Sequence, residues 1–146
     1  MIKIRRMTKE DIPAAVEIER VCFSEPWSEK VYSATLLLPY AHYYVAQEEA
    51  GGIVGTCGVK LILGEGEIGN VAVLPAYRGR GIARQLMERM LTDPEQESAE
   101  AFTLEVRAGN VPAIRLYESF GFRQEGIRKR FYRDPEEDAL ILWKRW

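Results

Sequence analysis

The chain has 146 residues, the length of one domain, and its 47% hydrophobic and 29% charged residues are typical of ordinary globular proteins. A formal net charge of −2 gives no basic excess of the kind that nucleic-acid-binding proteins carry. The single histidine, His42, excludes multi-histidine metal sites and leaves carboxylate, tyrosine, cysteine or lysine side chains for proton transfer. We therefore expect a single domain over residues 1–146 that binds neither a metal ion nor nucleic acid.

The sequence also carries no sign of export or of membrane insertion. No stretch approaches the roughly 18 consecutive apolar residues of a membrane span, and the N-terminus lacks the apolar run of a signal peptide. The two cysteines, Cys22 and Cys57, form no CxxC motif, and we expect both to be buried, reduced thiols. These features predict a cytoplasmic protein without a membrane partner, and we expect a monomer or a weak oligomer.

The first half of the chain is rich in predicted strands. Thr8 is placed to cap a first helix, whose apolar residues follow helical spacing as far as Cys22. Ser28 is placed to cap a second helix, which Pro39 ends. The strands that we predict in this half cover residues 2–5, 43–48, 53–63 and about 67–73.

The second half alternates strands and helices. It begins with a predicted helix at 81–91, and the polar segment 92–99 that follows is predicted to be a surface loop. A further helix is capped by Asn110 and ends before Gly121. This half of the chain predicts an α/β (α+β) fold with helices on both faces of a mixed sheet. Its predicted strands cover residues 101–106, 122–127 and 139–143.

A loop rich in glycine and arginine follows the strand predicted at 67–73. Gly79, Gly81 and Ala83 leave little side chain at the start of a helix, where free N–H groups and the helix dipole favour an anion. The pattern suits a pyrophosphate, although it matches neither a Walker A loop nor the dinucleotide fingerprint. The alternative is an ordinary turn whose arginines are solvated at the surface. The arginines of this loop are Arg78, Arg80 and Arg84.

The motif Arg78-x-x-Gly81-x-Ala83, preceded by Asn-Val-Ala-Val-x-Pro, resembles the acetyl-CoA loop and cofactor strand of the GCN5-related N-acetyltransferases (GNAT family). The resemblance implies an acyltransferase that uses acetyl-CoA as co-substrate and no metal. It also implies the GNAT fold, a mixed, mostly antiparallel central sheet of six to seven strands with about four helices on both faces. The residues that it assigns to acetyl-CoA are Val71, Ala72, Val73, Arg78, Gly79, Arg80, Gly81, Ile82, Ala83, Arg84, Asn110 and Tyr117.

Two residues are candidates for the proton transfers of acetyl transfer, which needs an acceptor for the amine proton and a donor for the departing thiolate. Glu105 lies near the C-terminal end of a predicted strand, on its polar face. Tyr117 lies on the apolar face of the helix that follows. From the residues alone, Glu105 could instead be a rim carboxylate paired with an arginine such as Arg107. The spacing of Tyr117 favours a core tyrosine with a satisfied hydroxyl.

The run Leu-Glu-Val-Arg-Ala-Gly-Asn at 104–110 and the helix after it closely resemble the RimI-type branch, which acetylates the N-terminal alanine of a small-subunit ribosomal protein. The resemblance implies that Glu105 accepts a proton and Tyr117 donates one. It also assigns peptide binding to Trp27, Tyr132 and Glu105. The alternatives are an aromatic plug between helices for Trp27 and an exposed strand-end tyrosine for Tyr132.

Other interpretations stay open. Glu67 is the second candidate for the base, although an exposed charge in a hairpin is the simpler interpretation, and we expect a surface role for His42. The function could be broader protein N-terminal acetylation, lysine acetylation or small-amine acetylation. Outside the enzymes, the chain could be an acyl-CoA-binding regulatory module, which the Glu105/Tyr117 pair argues against.

Overall fold

The computed structural model describes all 146 residues, which form four α-helices and eight strands. The helices are α1 (Ile12–Cys22), α2 (Glu29–Leu36), α3 (Ile82–Thr92) and α4 (Val111–Ser119). The strands are β1 (Ile2–Arg6), β2 (Ala41–Glu48), β3 (Ile53–Ile62), β4 (Glu65–Ile68), β5 (Ala72–Val73), β6 (Ala101–Arg107), β7 (Arg123–Tyr132) and β8 (Glu137–Arg145).

Local capping explains where the helices begin. The Ser28 hydroxyl accepts a hydrogen bond from the N–H of Val31 at 3.3 Å, and Asn110 Oδ1 accepts one from the N–H of Ala113 at 3.3 Å. Both predicted caps are therefore confirmed. The first helix begins later than predicted, because a 3-10 turn separates Thr8 from α1. No helix of the chain is both long and apolar enough to cross a membrane.

The strands form one mixed sheet in the order β1-β2-β3-β4-β6-β8-β7, with β5 paired to β3 beside this path. Only β4 and β6 pair in parallel, and every other pairing is antiparallel. The predicted mixed, mostly antiparallel sheet is confirmed, although it has eight strands rather than six or seven. β7 continues past its predicted end at residue 127 to Tyr132, and β8 is longer than the predicted 139–143 at both ends.

Each face of the sheet is covered by two helices. Along β2, Tyr44 and Ala46 belong to the larger core cluster, which also contains residues of α3 and α4. Their neighbours Tyr43 and Val45 point to the other face and belong to a smaller cluster with residues of α1 and α2. The alternation of one strand thus supplies both cores, as a two-faced sheet requires.

The strand predicted at 67–73 is interrupted. Val59 pairs with Ile68, and Thr56 pairs with Ala72, so three residues of one strand lie opposite two of β3. This extra residue is a β-bulge, which bends a strand and ends its regular pairing. It divides the predicted strand into β4 and β5 and accounts for the additional strand.

The bulge also opens the sheet. β4 pairs with β6 as far as Glu67 and Thr103, but β5 pairs only with β3. Beyond Thr103 the two halves of the sheet therefore separate, and a gap lies between β5 and the C-terminal part of β6. We refer to it below as the strand gap.

The prediction of a surface role for His42 is wrong, and the surface segment predicted at 92–99 is confirmed except at one buried residue, Gln96. His42 is buried, and its ring contacts the side-chain amide oxygen of Gln96. Gln96 belongs to the segment predicted as a polar surface loop, yet it is also buried and donates to the hydroxyl of Tyr44 at 3.1 Å. The two polar side chains satisfy each other, which is why burial is possible for both.

Candidate active site

The backbone of β5 presents a polar edge to the strand gap. Val73 pairs with Gly55, and the N–H of Leu74 donates to the carbonyl of Val54 at 2.9 Å. In this antiparallel pattern the N–H and C=O of Val73 itself point away from β3. Its carbonyl accepts from Arg78 Nε at 2.9 Å and from the Cys22 thiol at 3.6 Å. The gap thus has a backbone edge suited to an extended ligand with amide groups.

The loop after β5 leaves backbone donors free at the start of α3. Gly79 and Gly81 have φ angles of 77° and 78°, a region that favours glycine, and a Cβ atom on either would meet nothing within 4 Å. The first hydrogen bond of α3 runs from the N–H of Gln85 to the carbonyl of Gly81 at 3.1 Å. The N–H groups of residues 82–84 therefore have no partner in the protein and can bind an anion.

The three arginines of this loop are held by different neighbours. Besides its bond to the β5 backbone, Arg78 lies 3.6 Å from the Cys22 sulfur. The guanidinium of Arg80 lies over the ring of Tyr77 at 5.1 Å. Arg84 donates to the Ser119 hydroxyl at 3.1 Å. The loop therefore combines free N–H groups, open space and positive charge, which together fit a pyrophosphate.

Tyr117 is a buried tyrosine whose hydroxyl has no hydrogen-bond partner within the protein. Its side chain is 6% exposed and packs edge-on against Phe122, with ring centroids 6.1 Å apart. Burial raises the pKa of Tyr117, so the hydroxyl keeps its proton at neutral pH. The core location matches the alternative considered from spacing. The hydroxyl differs from that alternative, because it makes no hydrogen bond within the protein, and no fully buried side-chain oxygen lacks a partner, so the hydroxyl is accessible to solvent.

Glu105 lies on the polar face of β6, as its alternation predicts. Its side chain is 33% exposed and forms an ion pair with Arg128 of β7, which reaches across the intervening strand β8. The alternative of a rim carboxylate paired with a surface arginine is therefore confirmed, with Arg128 rather than Arg107 as the partner. The accessible carboxylate can take part in proton transfer with a ligand in the gap.

Tyr132 connects these two residues electrostatically. Burial raises the pKa of Tyr132 to about 12, and the negative charge of Glu105 contributes to the shift. Tyr132 in turn contributes, after burial, to the raised pKa of Tyr117. Contact geometry places Tyr132 beside β6, because the guanidinium of Arg107, which follows Glu105 on the same strand, lies 4.5 Å from the centre of its ring. Tyr132 is half-buried, which disagrees with an exposed strand-end tyrosine.

Trp27 packs into the smaller core rather than standing free. Its ring lies 5.1 Å from the ring of Tyr32 and 5.9 Å from that of Tyr43, and the ammonium of Lys60 lies 5.7 Å from its centre. These contacts agree with the aromatic-plug alternative for Trp27. A role in binding the peptide stays a prediction for this residue.

The remaining candidates are an exposed carboxylate, a helix cap and a buried thiol. Glu67 is exposed on β4, opposite Lys60 and Thr103. Asn110 caps α4 through its side-chain oxygen, which leaves its amide nitrogen available to a ligand. Cys57 is fully buried, as expected of a small apolar residue, and burial raises the pKa of its thiol.

Sequence reasoning missed a buried carboxylate. Glu19 of α1 is 2% exposed and accepts hydrogen bonds from the N–H of Trp27 at 3.0 Å, from Asn70 Nδ2 at 3.3 Å and from the Tyr32 hydroxyl at 3.4 Å. Burial raises its pKa, and the three hydrogen bonds oppose the shift. Glu19 also lines a cavity of about 10 Å³, close to the space that one water molecule needs.

This carboxylate links the loop that carries Trp27 to the bulge that carries Asn70. A signal for it exists in the sequence. Glu19 falls on the apolar stripe of α1 together with Ala15, Ile18 and Cys22, where a charged residue is unusual.

Comparison with known proteins agrees with this geometry. The crystal structure of the ribosomal-protein-S18-alanine N-acetyltransferase from Escherichia coli is 32% identical, with a TM-score of 0.89, over 99% of this chain and 94% of that chain. The crystal structure of the NatC complex bound to Gag peptide and CoA contains a chain that is 27% identical. It aligns with a TM-score of 0.88, over 99% and 98% of the two chains.

Sequence comparison gives the same family. A Bacillus subtilis relative, provisionally named a ribosomal protein bS18-alanine N-acetyltransferase, is 39% identical over 96% of this chain and 93% of its own length. The family profile described as "Acetyltransferase (GNAT) family" matches residues 12–122. The strand gap and the glycine and arginine loop at a helix start agree with these matches, and the chain belongs to the GNAT family of acetyltransferases.

Proposed function

We propose that the protein is an acetyl-CoA-dependent N-α-acetyltransferase that modifies the N-terminal alanine of ribosomal protein bS18. The observation that carries the proposal is the strand gap, which lies between β5 and the C-terminal part of β6, the strand that carries Glu105, and is followed by the glycine and arginine loop. Support for the substrate comes from the names of relatives that cover almost the whole chain.

The cofactor side of the gap would be formed by backbone groups. The N–H groups of residues 82–84 would bind the pyrophosphate, with the positive charge of the neighbouring arginines. The peptide groups of residues 71–73 that point away from β3 would bind the amides of the pantetheine arm, and Arg78 would then exchange its bond to the Val73 carbonyl for a contact with the ligand. The amide of Asn110 would add a side-chain contact. Acetyl-CoA supplies the thioester whose carbonyl carbon the amine attacks.

The side chains on the other side of the gap would move protons. Glu105 would accept the proton that the amine loses, directly or through a water molecule. An α-amino group has a pKa of about 7.7–8.0, against about 10.4 for a lysine side chain, so an N-terminal amine makes the smaller demand on a carboxylate base. Tyr117, which burial keeps protonated, would donate a proton to the departing sulfur.

The transfer would be direct, with amine and thioester in one ternary complex. An acetyl-cysteine intermediate would need a reactive thiolate, whereas Cys57 is fully buried and its pKa is raised by burial. The two free cysteines also agree with a reducing cytoplasmic setting, where the ribosomal substrate is made.

Mass spectrometry of acetyl-CoA reactions with matched substrates tests the proposal. The panel comprises an alanine-starting peptide, its N-terminally blocked twin that contains lysine, and a small primary amine. We expect one acetyl group on the α-amine of the first peptide and none on the blocked twin. Acetylation of the lysine twin or of the small amine alone would contradict the proposal. Tight binding of acetyl-CoA without any product would instead support a regulatory binding module.

A further inference from the structure

The guanidinium of Arg107, at the C-terminal end of β6, joins three separate segments of the chain. Its Nη1 donates to the carbonyl of Pro135 at 2.8 Å and to Glu137 Oε1 at 3.2 Å. Its Nη2 donates to the carbonyl of Arg133 at 2.9 Å and to the hydroxyl of Ser24 at 3.1 Å. One side chain thus holds the β7–β8 turn, residues 133–136, and the α1–α2 loop, residues 23–28, against the strand that carries the candidate base.

Further contacts reinforce this arrangement. The guanidinium lies over the ring of Tyr132, 4.5 Å from its centre. The Ser24 hydroxyl donates to the carbonyl of Arg133 at 2.7 Å, so the α1–α2 loop and the β7–β8 turn also touch each other. Glu137 completes the set, because its second oxygen accepts the N–H of Gly109 at 2.6 Å.

Only an arginine can make this set of contacts. The planar guanidinium offers donors in a fixed fork and can stack on an aromatic ring at the same time, whereas a lysine ammonium is a point charge on a flexible stem. Without Arg107, the carbonyl of Pro135 would lose its donor and the carbonyl of Arg133 would keep only the Ser24 hydroxyl. Arg107 therefore acts as a clamp between the two loops and β6.

The clamped segments are those that carry the predicted peptide-binding residues. Trp27 lies in the α1–α2 loop, three positions after Ser24, and Tyr132 enters the β7–β8 turn. We propose that Arg107 is a positioning residue that fixes the two loops at one separation and thereby sets the affinity for the peptide N-terminus, without touching the reacting atoms. This inference rests on the proposed function and assigns one of its determinants.

Steady-state kinetics of Arg107→Lys and Arg107→Ala test the inference, with acetyl-CoA and the alanine-starting peptide varied separately. Because the loops and the Tyr132 ring lose their common anchor, we expect the peptide KM to rise about tenfold in both variants. The KM for acetyl-CoA should stay within about twofold, since residues 71–84 do not contact the clamp. A general loss of folded structure would not separate the two KM values in this way.

Arg145→Ala is the matched control. The guanidinium of Arg145 also stacks on an aromatic ring, that of Trp143 at 4.1 Å, and also pairs with a carboxylate, that of Glu125 at 2.9 Å. Arg145 lies opposite Ala101, at the other end of β6. We therefore expect Arg145→Ala to leave both KM values unchanged.

An unchanged peptide KM in Arg107→Lys would overturn the inference, as would an equal rise in the KM for acetyl-CoA. If Arg107→Ala does not fold, the lysine variant decides alone, because it keeps the charge and the aliphatic stem. A wild-type protein that acetylates no peptide would overturn the proposed function instead, so the two failures are distinguishable.

Discussion

The two sides of the strand gap are built on different principles. The proposed cofactor side consists of backbone N–H and C=O groups from one continuous segment, residues 71–84. The proposed catalytic side consists of side chains from separate elements, Glu105 of β6, Tyr117 of α4 and Tyr132 of β7. A backbone site needs the correct chain geometry and tolerates many side chains, whereas a side-chain site needs each residue and also whatever holds it in place.

The comparison predicts a clean separation of kinetic effects. Changes on the side-chain side should alter kcat or the peptide KM, and changes in the loop should alter the KM for acetyl-CoA. The variants below test that separation, from the largest expected effect to the smallest.

Replacing the candidate base should have the largest effect. Glu105→Gln removes the proton acceptor while keeping the shape, so we expect kcat to fall by about 10²- to 10³-fold at neutral pH. The control is Glu67→Gln, which removes an exposed carboxylate from the neighbouring strand and should change kcat by less than about threefold. A larger loss for Glu67→Gln than for Glu105→Gln would exchange the two assignments.

Replacing the candidate proton donor should have the next largest effect. Tyr117→Phe removes a hydroxyl that makes no hydrogen bond within the protein, so we expect kcat to fall about 10- to 100-fold with little change in either KM. Thermal unfolding should show a Tm close to that of the wild type, because no internal contact is lost. Full turnover in this variant would assign Tyr117 to the core alone.

A glycine replacement tests the backbone side of the gap. Gly81→Ala places a Cβ atom at a φ of 78°, which costs about 1–2 kcal/mol and shifts the start of α3. We expect the KM for acetyl-CoA to rise about tenfold while the peptide KM is unchanged. Gly52→Ala is the control, since its Cβ meets nothing within 4 Å and its φ lies outside the left-handed region. A rise in the peptide KM alone would contradict the assignment of this loop to acetyl-CoA binding.

The buried carboxylate should give a smaller, pH-dependent effect on stability. Because burial raises the pKa of Glu19, the folded state holds a proton that the unfolded chain releases, and this favours folding at acidic pH. The contribution is complete below the unfolded pKa of about 4.3 and is lost as the pH rises through the folded pKa. The glutamine variant does not titrate. As the pH rises from 4.5 to 8, the free energy of unfolding of the wild type should therefore fall relative to that of Glu19→Gln.

Urea unfolding at both pH values measures this difference. We expect Glu19→Gln to lower the free energy of unfolding by about 1 kcal/mol at pH 4.5, and by less at pH 8, because glutamine cannot accept all three hydrogen bonds. Glu17→Gln, an exposed neighbour on the same helix, is the control for removing a carboxylate from α1. A difference that does not depend on pH would show that the Glu19 carboxyl does not titrate with a raised pKa.

The parts of the molecule that sequence predicted correctly are those that depend on near neighbours. Ser28 and Asn110 cap their helices through atoms three positions away, and the alternation of β6 places Glu105 on the polar face. The positions of Gly79 and Gly81 mark the loop because their conformation excludes most other residues. Local geometry was therefore sufficient to predict the order of the elements and the position of the glycine loop at the start of α3.

The errors share a different cause, which is contact between residues far apart in the chain. His42 is buried because Gln96, 54 positions later, completes its hydrogen bonding. The partner of Glu105 is Arg128 because β8 lies between β6 and β7, an order that no local pattern states. Glu19 had a local signal on the apolar stripe of its helix, but its partners at Trp27 and Asn70 depend on the tertiary fold.

The bulge between β4 and β5 makes the length of this segment as important as its composition. Removing one residue from positions 69–71 would let the register of Ile68 with Val59 continue without interruption through β5. The continuous strand would then be free to pair with β6 beyond Thr103, so that the sheet would close where the acetyl donor is proposed to enter. The number of residues between Ile68 and Ala72 therefore sets the opening: a single codon deletion would remove it while leaving every proposed catalytic side chain in the chain.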